Sequence, residues 1–178
     1  MFDNIQIQAD ELPAVAGVDW QPMDPGLRRQ QVLVGAIIFA GLLVAFSIAW
    51  MLTADTLREN NARYPLVAVG GLIPLIGLWL IIWPFISVPR MGYAVRDKDV
   101  LYRSGVLWQQ VTAIPYNRIQ HVEKDTGPLD RRFGLANLKV FTAGGAGGDL
   151  SISGLSESAA ERLRGHILQR IGAAVEHS

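Results

Sequence analysis

His121 and Glu123 have the residue types of a general base and the carboxylate that orients it. Two residues apart on a strand, they share one face. That spacing fits an exposed cross-strand pairing set better than a catalytic dyad, because His166 and His177 lie far along the chain and complete no metal-ligand cluster. No Ser, His and Asp grouping has nucleophile-elbow spacing either. Gly144 to Gly148 form a glycine-rich stretch, but no Lys-Ser or Lys-Thr follows it, so it reads as a hairpin tip rather than a phosphate loop. Catalytic residues, cofactors and metal ligands are therefore not expected, and the chain reads as a non-enzyme.

Arg118, Arg131 and Arg132 carry different chemistry. A guanidinium binds phosphate bidentately, and near an anionic leaflet each basic residue contributes about 1 kcal/mol. Three such residues would hold a tethered domain against lipid but would not capture it from solution. The competing reading puts Arg131 and Arg132 on the exposed side of a turn begun by Gly127-Pro128, with Leu129, Phe133 and Leu135 anchored inward.

The elements that must position these residues hang from two runs without a single charge, Val32 to Leu52 and Pro65 to Val88. At ~1.5 Å per residue the first run reaches about 31 Å, and the hydrocarbon core of a bilayer is roughly 30 Å thick. Soluble core helices are shorter and carry a polar face, which neither run has. Two membrane-spanning helices follow, with Pro74 expected to kink the second rather than break it. Gly41, Ala45 and Ala49 on the first run, and Gly70 and Gly77 on the second, are spaced for close helix packing; the competing reading is the ordinary small-residue composition of membrane helices.

The formal charge of zero hides an asymmetry: residues 1–31 hold five acidic and two basic side chains, whereas residues 89–178 hold nine and twelve. That is far from the basic excess of a nucleic-acid binder, so no nucleic-acid partner is expected. Cysteine is absent, which excludes disulfides and thiolate metal sites. Arg28, Arg29, Arg90, Arg96, Lys98 and Arg103 flank the outer ends of the two runs, against Arg58 and Arg63 between them. The Lys/Arg bias therefore places both termini in the cytoplasm, as expected of a multi-pass protein with two spans.

Residues 1–31, with Pro13, Pro22 and Pro25, read as a mostly irregular tail. The hairpin occupies 32–88 (helices 32–52 and 65–88), and a separate domain occupies 89–178. In that domain Tyr93 and Val95, Val100 to Arg103, Val106 to Val111, Thr112 to Ile114, Ile119 to Lys124, Leu138 to Thr142 and Leu150 to Ser153 are strand candidates. So many short strands predict a curved antiparallel sheet or partial barrel. A final helix starts at Ser158 with the capping-box spacing to Glu161, Ser156 being a rival cap. Its stripe of Ala160, Leu163, Ile167 and Ile171 packs over the sheet; a membrane-surface helix is the competitor.

The blocks YRSGVL (Tyr102 to Leu107), IPYNRIQHV (Ile114 to Val122), GPLDRRFGLANLKVFTAGG (Gly127 to Gly145) and ISGL (Ile152 to Leu155) stand in one order. With them the segment Tyr93 to Ile171 resembles the bacterial pleckstrin-homology-like (PH-like) membrane proteins of the YdbS type, a domain of unknown function. The preceding hairpin resembles that family's layout; the first 31 residues show no resemblance. What the resemblance implies is an α+β membrane protein: a two-helix transmembrane hairpin followed by a seven-stranded bent sheet, closed at one end by the C-terminal helix. It implies no reaction.

Together these readings predict a membrane-anchored PH-like scaffold at the cytoplasmic face, and the resemblance implies that the membrane is a bacterial plasma (inner) membrane. Its expected partners are membrane lipids and a protein partner or further copies of itself in a homo-oligomer. Exposed sheet edges offer strand addition as one route. The alternative is an accessory subunit of a membrane transport or export assembly, although the spans lack the ionisable residues of a pathway.

Overall fold

The structure is a computed structural model that describes residues 17–59, 63–143 and 149–175. The expected tail ends earlier than residue 31. Asp24 opens helix α1 (Pro25–Glu59): its Oδ1 accepts the Gly26 N–H at 2.7 Å and its carbonyl accepts the Leu27 N–H at 3.0 Å. Pro25 suits a first helical turn, where no partner is needed for the missing N–H. Helix α2 (Arg63–Ser87) runs through Pro74 and Pro84 and ends in a single 3-10 turn, Val88–Arg90.

The two helices are long and apolar enough to cross a membrane, over Pro25–Thr53 and Ala68–Arg90. Their apolar side chains point outward: Val44 is 59% exposed and Leu75 62%. A helical hairpin in a soluble core would bury such residues. The seam between the helices sets aromatic rings on glycines. A Cβ on Gly70 would lie 2.4 Å from the Phe46 ring, and one on Gly77 2.4 Å from the Phe39 ring. The expected small-residue stripe of α1 is corrected in part: a Cβ at Gly41 meets nothing, and Gly41 and Ala45 are exposed. Large rings on α1 fill the gaps that small residues leave on α2.

Seven antiparallel strands among the described residues form two sheets. β1 (Gln21–Pro22), β2 (Gly92–Val95), β3 (Asp99–Ser104) and β4 (Gln110–Pro115) make one in that order; β5 (Ile119–Asp125), β6 (Leu135–Thr142) and β7 (Leu150–Ser156) make the other. The seventh strand of the expected sheet therefore comes from before the hairpin, because β1 pairs Gln21 with Tyr93 and Pro22 with Gly92. In consequence α1 and α2 are one long connection between β1 and β2. Val106 to Val111 is not a strand of its own. The ladder ends at Ser104 opposite Gln110, and Gly105 at φ +100° turns the chain, so Val106 to Trp108 form the tip of the β3–β4 hairpin.

A helix of one turn, α3 (Pro128–Arg132), joins β5 to β6, and α4 (Glu157–Val175) closes the fold. Ser156 is the cap of α4, its Oγ accepting the Ala159 N–H at 3.2 Å, which corrects the start expected at Ser158. Ala160, Leu163 and Ile167 join the same buried core as Val100, Leu138 and Ile152. α4 is thus a core helix rather than a membrane-surface one. Met23 and Leu27, from the entry to α1, belong to the same core.

Candidate membrane-facing site

Three contacts weld the base of α1 to the domain. The Asp24 N–H donates to the Gly154 carbonyl at 3.0 Å. Leu27 occupies the space above Gly154, whose φ of +79° and missing side chain make room for it. Gln30 Nε2 donates to Asp130 Oδ1 at 2.6 Å, tying the second turn of α1 to α3. Asp130 is the hub of this joint, because its Oδ2 also accepts from Asn137 Nδ2 at 2.9 Å and from the Gly127 N–H at 3.1 Å.

Arg131 and Arg132 follow Asp130 and are exposed, so α3 carries both guanidinium groups beside the base of α1. The inward anchor expected of Leu129 is corrected: it is 41% exposed, whereas Phe133 packs on the core and Leu135 is buried. Arg118 is exposed elsewhere. It ends the 3-10 turn Tyr116–Arg118 after β4, and β4 finishes at Pro115 opposite Asp99. That end of the first sheet lies a full strand, about 17 Å, from the end that joins the helices. The three arginines therefore do not converge.

Other arginines surround the domain end of the hairpin. Arg28 lies over the Phe85 ring at 5.1 Å, linking α1 to α2, and Arg90 Nη1 donates to the Ile86 carbonyl at 2.8 Å. Arg103, opposite Gly92 on β3, stacks on Trp20 at 4.7 Å. Sequence reasoning missed Trp20 and Arg103 as a pair, since 83 positions separate them and only the two-residue strand β1 brings them together.

His121 Nε2 and Glu123 Oε1 are 3.0 Å apart on the exposed surface of β5, sharing a face as their spacing requires. Their surroundings are ion pairs: Lys139 with Asp125 at 3.2 Å, Lys124 with Glu161 at 3.0 Å, and Arg164 with Glu161 at 3.3 Å. The Lys124 hydrogen bond and charge hold the Glu161 carboxyl below its ordinary value. Among the described residues no three His, Asp or Glu side chains gather as a metal site. Gly144 to Gly148 lie outside the described residues.

A hairpin of apolar helices, two antiparallel sheets and a closing C-terminal helix define an α+β membrane protein with a PH-like domain. The Bacterial PH domain family model matches residues 12–171, and the chain belongs to that family. The match starts at residue 12, so the likeness reaches into the segment before the hairpin, where the four sequence blocks gave no sign of it. Among curated proteins the chain is similar to the UPF0699 transmembrane protein YdbS of Bacillus subtilis (strain 168). The two are 26% identical over 146 residues, which cover 79% of this chain and 82% of that one. No solved structure matches.

Proposed function

We propose that both helices cross the bacterial inner membrane with the termini in the cytoplasm, and that the PH-like domain is a non-enzymatic module fixed at the membrane surface. Its arginines at the base of the hairpin contact anionic headgroups, and its remaining faces bind a protein partner or a second copy. The single observation that carries this reading is the insertion of the hairpin between β1 and β2. A domain strung on a flexible linker could swing away, whereas this one has a strand at each junction and Leu27 of α1 in its core. Tethering then raises the effective concentration of the module near membrane partners, so weak contacts suffice.

Arg131 and Arg132 are assigned to headgroups because α3 is bonded to α1, and Arg118, at the far end of the first sheet, to a protein partner. Native mass spectrometry of the full chain released from anionic nanodiscs tests the assignment. Retained anionic lipid should fall in the double variant Arg131→Gln/Arg132→Gln and persist in Arg118→Gln. Equal retention in all three proteins would refute it.

A further inference from the structure

We propose that the β3–β4 loop, residues 105–109, dips into the interfacial layer of the bilayer, with Leu107 and Trp108 as the inserted side chains. This rests on the reading that the helices span.

The strand register points the loop at the membrane. β2 starts at Gly92, one residue after the 3-10 turn that follows α2, and runs away from the helices. β1 and β3 flank β2 and both run antiparallel to it, so both run back toward the helices. β1 continues through Met23 and Asp24 into α1. β3 has Arg103 opposite Gly92 and continues past Ser104 into the loop. The loop therefore leaves the sheet beside both helix bases.

Its construction suits insertion. Gly105 at φ +100° lets the chain fold back so tightly that a Cβ there would lie 1.9 Å from the Trp108 carbonyl oxygen. With its backbone closed in this way, the tip turns its side chains outward: Leu107 is 79% exposed and Trp108 85%. Among the described residues outside the hairpin helices, the next most exposed large apolar ones are Leu168 at 43% and Val111 at 42%, and Val111 belongs to the same β-hairpin. An apolar tip of this kind, left in water, exposes surface that a soluble domain normally covers. The chemistry of its surroundings matches the lipid interface. Tryptophan favours the headgroup level, where its ring is buried and its N–H stays wet. Gln109 and Gln110 form a polar rim, Arg103 on Trp20 supplies a cation beside it, and no acidic residue occurs between Asp99 and Glu123. An anionic surface thus meets no like charge, and so no repulsion, from this stretch. Two side chains would not bind a vesicle from solution, but the spans already hold the domain there.

The chain has no native cysteine, so one label per variant is unambiguous. Full-length Leu107→Cys, Val44→Cys and Lys98→Cys, each carrying an environment-sensitive fluorophore, are reconstituted in phosphatidylcholine and phosphatidylglycerol vesicles. Lipids spin-labelled at shallow or deep positions are then added. The Leu107 label should lose emission to the shallow quencher, Val44 to the deep one, and Lys98, in the turn at the far end of β2 and β3, to neither. A Leu107 label that behaves like Lys98 while Val44 is deeply quenched overturns the insertion and leaves the spanning reading intact. An unquenched Val44 label overturns both. Disulfide pairing between Leu107→Cys chains without lipid quenching assigns the tip to a second copy and also overturns the proposal.

Discussion

Leu27 sits where a side chain on Gly154 would have to be: a Cβ at Gly154 would lie 2.4 Å from Leu27 Cδ2. Leu27 is 6% exposed and belongs to the core, so it has little room to yield. Gly154 also adopts φ +79°, which an L side chain resists. The membrane helix is thereby keyed into β7.

Gly154→Ala should destabilise the domain by about 2–4 kcal/mol, combining overpacking with backbone strain. Leu27→Ala alone should cost about 2–5 kcal/mol through the cavity it leaves. Because the two residues contend for one space, the double variant should be less destabilised than the sum of the singles. Thermal unfolding of the four full-length proteins in detergent closes that cycle; strict additivity would mean that Leu27 and Gly154 do not compete.

Asp130 holds three donors from three places in the chain: Gln30 on α1, Gly127 before α3 and Asn137 on β6. Asp130→Ala leaves these half-buried donors without their acceptor and should cost about 1–3 kcal/mol. The damage should concentrate at the joint. Hydrogen exchange should quicken in α3 and in the first turns of α1 while the middle of β6 stays protected. Uniformly quicker exchange across the domain would show that Asp130 is no special joint.

Glu161 titrates below its ordinary value of 4.5, first because of its hydrogen bond to Lys124 and then because of the charge on that lysine. A carboxyl whose folded value is depressed adds stability above its unfolded value and loses it as the pH falls through the folded one. Any contribution from this pair is therefore complete above about pH 4.5 and disappears below it. Lys124→Met should move the Glu161 midpoint upward toward the ordinary value. Carboxyl-detected NMR titration reads the midpoint directly, and an unmoved midpoint would refute Lys124 as the cause.

How much of this was legible in the sequence follows from how each feature is encoded. The hairpin was, because runs free of charge are written in composition alone. The core stripe of α4 was, because Ala160, Leu163 and Ile167 repeat at the helical period. β1 was not, since two residues have no period, and Pro22 weakens even that signal. Its neighbour did leave a sign: Asp24-Pro25 is a cap followed by a first-turn proline, and it marks the true start of α1. Val106 to Trp108 looked like strand because they are apolar. What ends β3 is the positive φ of Gly105, a backbone property that the residue name permits but does not require. Arg118 and the Arg131–Arg132 pair looked equivalent because sequence gives spacing along the chain and not the end of the sheet at which each emerges.

The central claim is that a hairpin inserted between two strands crosses the membrane and pins the domain to one side of it. Labelling introduced cysteines with an impermeant maleimide on intact spheroplasts tests it most directly. Asp55→Cys, between the two apolar stretches, should react from outside, and Lys98→Cys should react only after lysis. Reaction of both from the same side of the intact membrane would contradict the account.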